Sequence, residues 1–312
     1  MKNPYPVLFA LIAILSACHQ PSKQTAIQPA DTKPATQGSH LKDYPNAGPV
    51  IRAYTRYLQT LDTADLATSR LAVKKFDSLF ERQSPEVCDT GFMQFWDYQL
   101  TLNTRDSLVR KFIYPVRLDT LSASEYQGKK LNAREQAAQQ KLWDNYFIVQ
   151  EEEGDAYIAP AWRLVNKHFS PFVSIPMKEV LTEQTKEEKE GFMADAGLMI
   201  DAVTLAGRTI WWERFLDQHP HHIYDSSAKS AYDVLLYVMV SGSDNSPVMG
   251  YDSTGALTPF YDSAYHWIME DNPGSRTNKV IKPFWEAVRA KDTVAMKRIR
   301  ESVNIYEATR IP

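Results

Sequence analysis

From Pro49 onward the apolar residues fall at helical spacing, and this narrows the fold more than any other feature of the chain. Val50, Ile51, Tyr54, Leu58 and Leu61 recur every three or four residues, the period of one face of a helix. A second helix is expected after Asp62-Thr63, with Leu66, Leu71, Phe76, Leu79 and Phe80 on its apolar side, ending at Ser84-Pro85. One or two more are expected over 89–112, broken by Pro115, and another over 132–145. Further helices are read at 162–172, 177–181, 226–241, 259–270 and 276–291, with Asp292 capping a last one. Between them a single long helix is expected over 186–218, because 192–212 is apolar nearly all round and a helix of that kind is central. Asp195 and Asp201 are its odd members and are read as structural carboxylates.

Only one stretch departs from this pattern. Tyr146-Phe-Ile-Val-Gln and Ala156-Tyr-Ile-Ala-Pro160 flank Glu151-Glu-Glu-Gly-Asp155, the layout of a β-hairpin with a solvated acidic turn. Glycine is scarce, 12 of 312 residues, which disfavours a many-turned β-sandwich or propeller. The expected fold is therefore mainly α: a multi-helix bundle or αα-hairpin array with one minor β-hairpin, forming one domain over 49–312. The last two helices loosely echo the first two, each pair being helix, Asp-Thr, helix; one echo does not make a repeat array.

The first eighteen residues speak about location. Lys2 precedes nine unbroken apolar residues, Val7 to Leu15, too few to cross a bilayer core of about 30 Å as a helix. Leu15-Ser16-Ala17-Cys18 follows, and this resembles the lipobox of bacterial lipoproteins. The resemblance implies cleavage before Cys18, diacylglycerol on its thiol and an acyl chain on the new amine. Multiple acyl chains anchor far better than one. His19 stands where an Asp signals inner-membrane retention, so the outer membrane is expected, with the domain facing the periplasm. Residues 19–48 are rich in Pro, Gln, Thr, Ser and Ala and read as a flexible tether, with a reach of about 30 Å.

Net charge is −3, and removing residues 1–17 takes away only Lys2, giving −4; no basic footprint for nucleic acid stands out. Lipidation of Cys18 leaves Cys88 alone, read as a small buried hydrophobe rather than a nucleophile.

Three groups of residues invite a chemical reading. Ser226-Ser-Ala-Lys229 and Ser243-Asp-Asn245 match two motifs of the serine β-lactamases and penicillin-binding proteins. They are set aside because they lie at opposite ends of one expected helix, about 25 Å apart at 1.5 Å per residue. His219, His221 and His222, completed by His266, offer imidazoles for Zn or Cu, although the spacing fits no closed zinc pattern. The loop 242–257 is long for a connection inside a compact domain, which suits a binding role; Asp244, Asn245, Tyr251 and Asp252 are its candidate ligand-binding residues.

Trp, Tyr and Phe together number 36 of 312, and aromatic faces suit sugar stacking, though core packing accounts for most of them. Tether, helices and aromatics resemble in outline the helical, lipidated glycan-binding proteins of bacterial outer membranes. The expected role is a non-enzymatic module that binds an envelope protein or glycan and meets the membrane through its lipid. A metal-assisted periplasmic hydrolase and a structural spacer between outer membrane and cell wall are the alternatives.

Overall fold

A computed structural model describes residues 48–303, except 103, 153 and 251–254 and the side chains of 126 and 152. Cys18, the tether, Tyr251 and Asp252 lie outside the described residues. The fold is mainly α, with thirteen helices and two small two-stranded antiparallel sheets among the described residues. No described helix is long and apolar enough to cross a membrane. The described residues form two compact units: one holds those in 48–150, 156–164 and 171–173, the other those in 151–155, 165–170 and 174–303.

The first unit is built on α1 (Pro49–Gln59), α2 (Thr68–Phe80) and α3 (Pro85–Thr101). Ile51, Tyr54 and Leu58 are the buried face of α1, as the spacing predicts. The second helix starts later than expected. Asp62 and Asp65 instead hold two successive turns, accepting from the amides of Ala64 and Ala67. Tyr54, Phe76 and Phe80 form the aromatic centre, with Phe76 stacked on Phe80 at 4.5 Å and Tyr54 edge-on to both. The Tyr54 hydroxyl donates to the Ala72 carbonyl at 3.1 Å, which satisfies its buried oxygen. Cys88 is buried and donates to the Phe80 carbonyl at 3.5 Å. Burial, with Asp89 and Glu86 nearby, pushes its thiol up to about 11, so it is held as an inert thiol rather than a thiolate.

Beyond these lie α4 (Asp106–Ile113), α5 (Leu118–Gln127) and α6 (Ala133–Trp143), the last opened by a capping box between Asn132 and Glu135. The hairpin forms as expected from β1 (Phe147–Glu152) and β2 (Asp155–Pro160). Next come α7 (Trp162–Phe169) and α8 (Ile175–Glu190).

Here the sequence expectation fails. The single helix over 186–218 is two helices, α8 and α9 (Ala202–Gln218), separated by β3 (Met193–Ala194) and β4 (Gly197–Leu198). Gly191 adopts φ +73° and ends α8, while Asp201 caps α9 by accepting from the Thr204 amide at 2.7 Å. Asp195 and Ala196 both sit at positive φ in the β3–β4 turn. Apolar composition ran through the break; the two local signals that make it were a glycine and an Asx cap.

In the second unit α9 is the central helix, packed against α10 (Asp225–Ser241), α11 (Pro259–Asp271) and α12 (Arg276–Ala290). The last helix, α13 (Thr293–Ser302), is capped by Asp292, which accepts from the amides of Val294 and Ala295. Thr258 does not cap α11; its hydroxyl bonds the Pro247 carbonyl at 3.3 Å, and Pro259 opens the helix.

A charged network lies between α8 and α9. The Trp212 indole donates to Glu187 Oε1 at 2.9 Å, and Arg208, 2% exposed, donates to Glu190 Oε2 at 2.8 Å. Burial pushes the Glu187 carboxyl from 4.5 to about 7 against the pull of Arg208, the Trp212 bond and Lys186; Glu183 pushes the same way as burial. The native state therefore binds a proton that the unfolded chain has released between about pH 4.5 and 7. Stability falls as pH rises through that window, by on the order of 3 kcal/mol at 1.36 kcal/mol per pH unit. Glu187→Gln keeps an oxygen for Trp212 and abolishes this fall, so denaturant unfolding at pH 5 and pH 8 should show a smaller difference in the variant. An equal loss in both proteins would place the titration elsewhere.

Candidate groove between α11 and α12

A candidate site belongs to the second unit and arises from two helical pairs. On α11, Asp262 and His266 are four residues apart and share a face; on α12, Trp285 and Arg289 do the same. A short turn at 272–275 joins the two helices, which lie against each other, so both pairs border one groove of about 480 Å³. Gly255, Ala256, Leu257 and Val288 also line it, with Lys291 just past the end of α12. This volume lies within the range of small-ligand sites.

Its polar groups are fixed by one another. The Trp285 indole donates to Asp262 Oδ1 at 3.3 Å, and the His266 ring meets Trp285 edge-on at 5.8 Å. His266 Nδ1 is 2.8 Å from the Asp262 carbonyl oxygen, which can only accept, so Nδ1 carries the hydrogen. That leaves Nε2 as the nitrogen open to a ligand. The Arg289 guanidinium lies over the Trp285 ring, 4.5 Å from its centroid. Lys291 closes α12 in the left-handed region, φ +55°.

The residues expected from sequence to carry function are dispersed. His219 Nε2 lies 3.0 Å from Glu179 Oε2, and its ring packs on Phe215. His221 sits at φ +66°, its amide donating to Asp225 Oδ2. His222 Nδ1 faces the Tyr224 amide at 3.3 Å, with its ring edge-on to Phe215. His266 lies in the groove instead. Among the described residues no group of three or more His, Cys, Asp or Glu side chains is placed to hold a metal ion.

Asn245 braces the β3–β4 turn: its amide donates to the Ala196 carbonyl at 3.0 Å and its side chain to the Asp195 carbonyl. Ser246 adds a bond from the Leu198 amide at 2.9 Å. Asp244 is exposed beside this brace. Gly242 is required there, because at φ +71° a Cβ would stand 2.6 Å from the Ser246 carbonyl oxygen. Ser226 and Ser243 flank the two ends of α10, in keeping with their rejection as a joint catalytic motif.

Sequence reasoning missed Asp262, Trp285, Arg289 and Lys291. The available signal was the paired four-residue spacing on two consecutive helices with a short turn between them. Comparison with known protein families, with curated proteins and with solved structures finds no match.

Proposed function

We propose that the chain is a lipid-anchored envelope protein whose helical region binds a glycan through the α11–α12 groove, without catalysing a reaction. The supporting observation is the groove itself: an indole held in place by Asp262 and His266, with further donors around it. Sugars combine apolar ring faces with a rim of hydroxyls, and an aromatic ring ringed by planar polar groups matches both. The lipobox at Leu15–Cys18 and the tether over 19–48 support placement on the outer membrane, with the domain in the periplasm.

Two measurements test this reading. Cys18→Ser should move the chain from the membrane to the soluble fraction; retention in the membrane would contradict the lipid anchor. The detergent-solubilised full chain should bind immobilised envelope glycans, and Trp285→Ala should weaken that binding at least tenfold with an unchanged circular dichroism spectrum. Trp285 is only half-buried, so the fold should survive its loss. Equal binding by the variant would remove the groove from the account.

A further inference from the structure

We infer that the groove selects an acidic saccharide, a sugar carrying a carboxylate or phosphate group, which rests on the glycan reading above and sharpens it. Asp262 is the only carboxylate among the described residues that line the groove, against the cations Arg289 and Lys291. That carboxylate is engaged: Oδ1 accepts from the Trp285 indole at 3.3 Å and lies 3.5 Å from His266 Nδ1. Among the described residues neither Arg289 nor Lys291 has a carboxylate partner, although ion pairs join many of the other basic side chains. The groove therefore presents uncompensated positive charge beside an aromatic ring.

Geometry adds to charge. An arginine whose guanidinium rests on an indole has lost much of its rotamer freedom before any ligand arrives. Such a guanidinium keeps its N–H groups in its own plane for an anion, and planar, bidentate capture of carboxylate or phosphate is what arginine does best. Trp285 is itself pinned from the opposite helix by Asp262, so the chain of support runs from α11 through the indole to the cation. Lys291 contributes a point charge to the same lining. A neutral sugar leaves both cations without a counter-charge.

The test compares three probes on the full chain in detergent: an N-acetylhexosamine oligomer, the same sugar bearing a lactyl carboxylate, and the same sugar bearing a phosphate monoester. An acidic probe is expected to bind at least tenfold tighter than the neutral one, with that advantage shrinking at 0.5 M salt. The comparison between carboxylate and phosphate identifies the source of the charge. Arg289→Gln and Lys291→Asn together should abolish the advantage, so that acidic and neutral probes bind alike; both positions are exposed, and asparagine tolerates the left-handed backbone at 291. Equal affinity for neutral and acidic probes overturns the inference and leaves the glycan reading standing. Failure of all three probes overturns both. An acidic preference that survives the double variant also overturns it, because the charge would then be read elsewhere.

Discussion

Glu213→Ala should destabilise the protein by about 3–5 kcal/mol, the cost of removing a buried charge from partners built around it. Glu213 is 4% exposed on α9, yet its carboxylate serves another helix. It accepts from the amides of Arg276 and Thr277 at 2.6 and 2.7 Å, and from the Thr277 hydroxyl at 2.6 Å. Those amides are among the first N–H groups of α12, which have no partner inside their own helix. A carboxylate placed there satisfies them and complements the positive end of the helix dipole. Alanine leaves the amides of Arg276 and Thr277 without this acceptor, the latter in a buried residue, and leaves the Thr277 hydroxyl only the Tyr232 hydroxyl at 3.3 Å. Glu213→Gln should cost about half as much, because one oxygen remains and the second acceptor becomes a donor. Urea unfolding measures both, and a loss under 1 kcal/mol for the alanine variant would show that Ser275 alone caps α12. The variant also bears on the groove, since α12 carries Trp285 and Arg289.

Gly91→Ala should destabilise by about 2 kcal/mol, opposite in sign to helix propensity, which favours alanine over glycine by about 1 kcal/mol. Gly91 lies inside α3, and a Cβ there would stand 2.4 Å from Phe80 Cζ and 3.0 Å from Phe76 Cε2. Phe80 cannot yield, being fully buried, stacked on Phe76 and edge-on to Tyr54. The glycine is the opening through which two helices approach closely. Gly207 on α9 provides the contrast: a Cβ there meets nothing within 4 Å, so Gly207→Ala should stabilise by about 1 kcal/mol. Thermal unfolding of the two variants should move in opposite directions. Pairing Gly91→Ala with Phe80→Leu should recover part of the loss, as expected for neighbours in contact. A stabilising effect of alanine at 91 would mean the Phe80 ring is free to move.

These residues also show what a sequence discloses. Some helix starts marked by local chemistry were legible: Pro259 opens the helix expected over 259–270, and Asp292 caps the last one, whereas Ser84-Pro85, read as the end of one helix, is also the start of the next, four residues before the expected 89. The hairpin at 147–160 was legible because two β-prone runs flank a short acidic turn. The break between α8 and α9 was concealed, because its signals are one glycine at positive φ between a charged and an apolar run and one aspartate cap inside the apolar run. The groove was concealed more deeply. Asp262 and Trp285 are 23 residues apart, and only the packing of α11 on α12 makes them partners. Local pattern could place each on a helix face, but which faces meet is decided by the helix behind them. Asn245, a candidate ligand residue by its place in a long polar loop, also braces the β3–β4 turn, a tertiary contact that local pattern does not show.

The central claim is that this groove is where the protein meets its ligand, and amide hydrogen exchange tests it most directly. The full chain in detergent would be compared alone and with acidic oligosaccharide released from envelope glycan. Binding at the groove predicts slowed exchange confined to 255–266 and 285–291, and no such protection in Trp285→Ala. Protection located elsewhere, or unchanged exchange at saturating saccharide, would contradict the account.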